Sequence, residues 1–147
     1  MARETMFGWR RQYAVYRQHS AEDCGAACLS AIAKHYGYDL SHPMVREAVG
    51  TGQDGTTLLG LQRGGDALGF RCRAVQANDN IGDHLDEMPS PAILHWRGVH
   101  WVVFYGQRGS RWVVMDPGVG IRYLTKEELM AGWVDRVTML LEPIPER

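Results

Sequence analysis

Cys24 stands in the stretch QHSAEDCGAACLSAIAKHYG, residues 18–37, where a polar turn runs directly into an apolar helix. The first backbone N–H groups of a helix have no partner within it, and the helix dipole favours negative charge at that end. A thiolate is such a charge. A helix N-terminus or a neighbouring imidazolium brings a cysteine from a free value of ~8.5 into the range ~3.5–7.5, and the thiolate is the nucleophile of covalent catalysis. The same position also suits a cysteine that is only a small buried apolar group. Cys28, one turn on, and Cys72, alternating with Phe70 and Ala74 in a strand pattern, read as core residues. A metal site on one helix face from Cys24, Cys28 and His35 lacks a second ligand cluster, and no metal or cofactor is expected.

A cysteine nucleophile needs a base, and six histidines compete. His100 in VHWVVFYG shares a strand face with Val102 and Phe104, so a rigid element presents a polar ring among apolar neighbours. His95 on the preceding strand is its main rival. His19, His35, His42 and His84 lie in polar or helical contexts suited to solvent. An acid that accepts from the second imidazole nitrogen fixes the tautomer. Asp116 fits this role, closing the strand RWVVMD before the turn PGVG, although an Asp before Pro also serves simply to form the turn. Gln18, six positions before Cys24, carries an amide that, with the Cys24 backbone N–H, can donate to a tetrahedral oxyanion.

These residues must be held by elements the pattern supplies. Asp23 reads as the cap of a helix over 24–36 whose first half, CGAACL, is apolar all round and therefore buried. A second helix starts at Ser41 with Pro43 in its first turn and Gly50 after its end. A third runs from Thr57 towards Gly69. Its Gly60, Gly64 and Gly65 weaken it, or else permit close packing or ligand approach. After Gly69 the pattern turns to strands: FRCRAV, PAILHW, VHWVVFYG, RWVVMD, IRYL and RVTMLL. QRGS reads as a hairpin loop and TKEELMAGW as a helix opened by a capping box, Thr125 with Glu128. Helices first and a mostly antiparallel sheet after them make an α+β protein of one domain, 1–147, with a helical half over about 1–69 and a sheet half over about 70–147.

Composition excludes several classes. With 16 basic and 17 acidic residues, net charge −1, the chain carries no electrostatic footprint for nucleic acid, and WRRQYAVYR reads as a solvated face. The glycine loop GTGQDGTT lacks the Gly-Lys-Ser/Thr ending of a phosphate loop. Trp9, Trp96, Trp101, Trp112 and Trp133 lack interleaved basic residues, so they belong to core or groove lining rather than base stacking. No apolar run approaches a membrane span and no signal-peptide core is visible, so a soluble chain that is not exported is expected. An odd count of three cysteines fits a reducing, cytosolic setting.

Taken together, the residues resemble those of the bacteriocin-processing, double-glycine cysteine peptidase domain found at the N-terminus of bacterial peptide-exporting ABC transporters. The landmarks are QHSAEDCGAACLSAIAKHYG, GTTLLGLQRGGDALGF, PAILHWRGVHWVVFYG and MDPGVGIRYLTKEELMAGW. The resemblance implies a papain-like fold with Cys24 as nucleophile, His100 as general base, Asp116 as its orienter and Gln18 as oxyanion donor. It further implies cleavage of precursor leader peptides after a double-glycine motif, coupled to export. The implied partners are the leader peptide and the membrane and ATP-binding parts of an exporter, at the cytoplasmic face of the bacterial inner membrane. The sequence stops at EPIPER without those parts, so an excised domain or a free-standing relative is expected. A catalytically silent docking domain and another papain-like acyl-transfer enzyme are the alternatives.

Overall fold

The computed structural model describes residues 13–52 and 55–145. Trp9 and the first part of the basic stretch WRRQYAVYR therefore lie outside the described residues.

A 3-10 turn, Ala21–Asp23, leads into α1, Cys24–His35, followed by α2, His42–Val49, and α3, Leu58–Ala67. Six strands come next: β1 Phe70–Gln76, β2 Ala92–Trp96, β3 His100–Arg108, β4 Arg111–Asp116, β5 Gly120–Leu124 and β6 Val137–Pro143. α4, Lys126–Gly132, separates the last two. The expected α+β class is what the chain adopts. The sheet is antiparallel in every pairing, with the order β1-β6-β2-β3-β4-β5.

Local chemistry accounts for most element ends. Ser41 accepts from the Met44 N–H at the start of α2, and Gly50 closes that helix in the left-handed region at φ 69°. Thr57 accepts from the Gly60 N–H at the start of α3, and Thr125 with Glu128 forms the capping box of α4. Asp23 departs from its expected role. It precedes α1, but its side chain makes no cap bond, because its carboxylate is engaged elsewhere.

The glycines of α3 serve close packing. A Cβ at Gly60 would stand 2.3 Å from the Val49 carbonyl oxygen, one at Gly64 2.6 Å from Val49 Cγ1, and one at Gly65 2.4 Å from Cys72 Sγ. α3 thus lies directly on α2 and β1, and the entropic cost of its glycines is offset by that approach.

Alternation along the strands divides the core in two. Ile93, Trp101, Val103, Tyr105, Val113 and Met115 pack with α1, whose residues Cys24 to Ala33 are all buried. Leu94, Trp96, Val102, Phe104, Trp112 and Val114 pack with Leu129 of α4 and with Trp133 on the opposite face. A helix buried on nearly every side has to be apolar all round, as CGAACL is.

Candidate active site

Cys24 is the first residue of α1 and is 4% exposed. His100 is the first residue of β3, and Asp116 is the last of β4. The hairpin joining β3 and β4 sets these strands side by side, with Val103 opposite Met115. Asp116 Oδ1 lies 2.8 Å from His100 Nε2. The His100 ring also hydrogen-bonds the Cys24 side chain. Cys24, His100 and Asp116 therefore stand in line.

Strand parity alone puts His100 with Val102 and Phe104, on the α4 face, while Cys24 belongs to the other face. The contact is possible because His100 begins its strand. At a sheet end a side chain is no longer confined to one face by neighbours on both sides.

Asp116 also forms its turn. Its Oδ1 accepts from the Gly118 N–H at 2.9 Å, and its carbonyl accepts from the Val119 N–H at 2.9 Å. The turn and the pairing with His100 use the same rigidly held carboxylate. Burial opposes charge on Asp116, but the bonds from His100 and Gly118 outweigh it and hold the carboxyl below its ordinary value. Burial likewise opposes charge on His100. Its bonds to Asp116 and Cys24 win, and the imidazole is pushed up to about 9. The ring is thus protonated at neutral pH beside the sulfur.

Gln18 reaches this cluster through the N-terminal segment. Tyr105 Oη donates to the Ala14 carbonyl at 2.6 Å, the Gln18 N–H donates to the Pro117 carbonyl at 2.9 Å, and Arg17 donates to the Gly118 carbonyl at 3.2 Å. These bonds lay residues 14–18 against β3 and the turn after β4. The Gln18 carboxamide sits beside that turn, with Oε1 3.8 Å from where a Cβ on Gly118 would stand. Oε1 is buried and without a hydrogen-bond partner among the described residues.

His95 is not placed to act on Cys24. Its Nδ1 meets Asp135 Oδ2 at 2.6 Å and its ring packs on Trp101 with centroids 4.5 Å apart. Cys28 is fully buried, and burial, with the nearby Cys24 and Asp116, pushes its thiol well up. Cys72 is half-buried, and burial with the adjacent Asp66 pushes its thiol up to about 12. Neither is a ready nucleophile. His42 overturns the expectation of a solvated ring: its side chain is only 9% exposed, and Nε2 lies 3.1 Å from Asp23 Oδ2.

A cleft of about 210 Å³ opens at Cys24, lined by Ala21, Glu22, Gly55, Thr56, Val99 and Trp101. Sequence reasoning missed Thr56. The Trp101 indole donates to the Thr56 carbonyl at 2.9 Å, and Thr56 packs so tightly on α1 that a Cβ at Gly25 would stand 2.8 Å from Thr56 Cβ. Only the position of Trp101 next to His100 hinted at this wall. No helix among the described residues is long and apolar enough to cross a membrane.

The chain matches the Peptidase C39 family over residues 12–146. It is 34% identical over 121 residues to the colicin V secretion/processing ATP-binding protein CvaB of Escherichia coli, a match covering 82% of this chain and 17% of that protein. The chain thus spans about a fifth of the length of the curated relatives it matches. Its structure superposes on the peptidase domain of Streptococcus ComA, a bi-functional ABC transporter involved in a quorum-sensing pathway. That match has a TM-score of 0.80 at 30% identity and covers 90% of this chain and 99% of that one. A double glycine motif protease from an AMS/PCAT transporter, solved in complex with the leader peptide, shares the fold with a TM-score of 0.82 at 24% identity, covering 91% of this chain and 94% of that one. The papain-like fold is common to them. With a match running from residue 12 to residue 146, this chain belongs to the Peptidase C39 family.

Proposed function

We propose that the chain is a single-domain cysteine endopeptidase that cleaves leader peptides of bacteriocin or ribosomally made modified precursors after a double-glycine motif. The carrying observation is the line from Asp116 Oδ1 through the His100 ring to Cys24. Cys24 attacks the carbonyl of the terminal leader glycine, with His100 as its base. The tetrahedral oxyanion accepts from the Gln18 side-chain amide and the Cys24 backbone N–H. As the intermediate collapses, His100 passes its proton to the leaving amine and the C–N bond breaks. Water, deprotonated by His100, then attacks the thioester and releases the leader acid, returning the proton to the ring–sulfur pair. Asp116 keeps the ring in the orientation and tautomer that this sequence of transfers requires.

The substrate class is supported by the relatives' processing and transport roles and by the leader-bound neighbour. The cleft supports it physically. Thr56 and Trp101 are held rigidly against the helix carrying Cys24, so the floor offers little room for side chains before the cut, where glycine has none. The same kinship supports work at the cytoplasmic face of a bacterial inner membrane, coupled to the membrane and ATP-binding parts of an exporter.

The test is mass spectrometry of a precursor peptide incubated with the chain and with its Cys24→Ala variant. Cleavage after Gly-Gly by the native chain alone is expected. Product from the Cys24→Ala variant would overturn the mechanism. No product from either would leave a docking domain, and cleavage indifferent to replacing the glycines would point to a different substrate for the same triad.

A further inference from the structure

Outside the line of Cys24, His100 and Asp116, two groups four residues apart before α1 lie close to a third at the start of α2. Single ligand atoms of His19, Asp23 and His42 all lie within 4.8 Å of one another. The Asp23 side chain is 1% exposed and that of His42 is 9% exposed. The rings of His19 and His42 stack with centroids 4.6 Å apart, and Tyr16 stacks on His42 at 5.0 Å and on His19 at 6.0 Å. Arg46 Nε meets the other carboxylate oxygen, Asp23 Oδ1, at 2.8 Å, while Oδ2 lies 3.1 Å from His42 Nε2 and accepts from the His19 backbone N–H at 3.2 Å.

We propose that His19, Asp23 and His42 bind a divalent transition cation of borderline softness, with Zn²⁺ the favoured member. Two nitrogens and one carboxylate oxygen suit that class of ion. Ligand bonds of ~2.0–2.2 Å at tetrahedral angles put neighbouring ligand atoms roughly 3.4 Å apart. His42 Nε2 and Asp23 Oδ2 stand at 3.1 Å, close to that separation. His19 is exposed and only its ring has to close on the ion.

Arg46 supplies the outer contact that ligating carboxylates commonly have, and its side chain is 40% exposed, so its own charge stays hydrated.

The consequence is positional. The ion would tie α2, which carries His42, to the segment running from Gln18 to Cys24. That makes it a fastener for the nucleophile's helix rather than a Lewis acid in the cleft.

The test uses the full chain carrying Cys24→Ala, so that zinc held by the catalytic sulfur does not count. Zn²⁺ is titrated by calorimetry and by competition with a chromogenic chelator, with thermal melting in parallel. One equivalent bound with a Kd of about 10 µM or tighter is expected, raising the melting temperature by roughly 5–10 °C at a hundredfold excess over Kd. His19→Ala and His42→Gln should each weaken binding at least about tenfold. His42→Gln keeps a hydrogen-bond donor for Asp23, and the exposed His19 can be replaced without disturbing the core. Absence of binding below about 100 µM, or binding that neither variant alters, would overturn the proposal.

Discussion

Replacing Asp116 by Asn probes the charge that holds the His100 proton. Asp116 Oδ1 is 2.8 Å from His100 Nε2, and the imidazole lies at about 9 rather than 6.5. That gap corresponds to roughly 3 kcal/mol in favour of the protonated ring, shared between Asp116 and Cys24. Acylation needs a sulfur anion together with a protonated ring that can pass its proton to the leaving amine. Were the ring to return to 6.5, the protonated fraction at pH 8 would fall from about 90% to about 3%, a loss of roughly thirtyfold. At pH 5.5 the ring is charged in both forms, so protonation contributes almost nothing. Because Cys24 retains its share of the shift, thirtyfold is the ceiling of this contribution, and lost orientation adds a pH-independent factor. The assay is kcat/KM for cleavage of a fluorogenic Gly-Gly leader peptide from pH 5 to pH 10. The expected result is an alkaline limb that moves down from about 9 and a defect that grows with pH. A defect equally large at every pH, or a limb that stays in place, would refute the electrostatic role assigned to Asp116.

Four further outcomes follow from the same geometry. Gln18→Ala should lower kcat by about 10²–10³ with little change in KM, as loss of one oxyanion donor does, read from initial rates. Gly25→Ala drives a methyl to 2.8 Å from Thr56 Cβ and should cost about 1–3 kcal/mol along with turnover, seen by thermal melting and by the cleavage assay. Trp133→Ala empties a fully buried site and strands the Val137 carbonyl, which accepts from the indole at 3.0 Å, so urea unfolding should show a loss of about 3–5 kcal/mol. Because the folded value of His100 is raised, its contribution to stability is complete below about pH 6.5 and is lost as pH rises through about 9; urea midpoints across that window should fall in the native chain and flatten in His100→Gln.

How much of this was legible in the sequence depends on the range of the interaction. The helix starts at Ser41, Thr57 and Thr125 were readable because a cap bond spans three residues. The six strands were readable because runs of β-branched and aromatic residues are a local signal. The cap assigned to Asp23 failed because its partners, His42 and Arg46, come from another helix, and a buried carboxylate goes to the cation that neutralises it. The two short 3-10 turns at Asp79–Asp83 and Leu85–Glu87 went unread, since too few residues repeat to show a period.

By itself, then, the sequence determined the candidates: a cysteine heading an apolar helix, a histidine opening a strand, an acid ending the next, and a glutamine upstream. Tertiary structure decided which of them meet. His95 and His100 were rivals by pattern, and only the sheet register sends the first to Asp135 and the second to Asp116 and Cys24. Gln18 gained its place from backbone bonds to a turn about a hundred residues away, and Thr56 became a cleft wall through Trp101. Caps and periodicity are written in neighbouring residues, whereas such meetings depend on closing long stretches of chain, which no local pattern records.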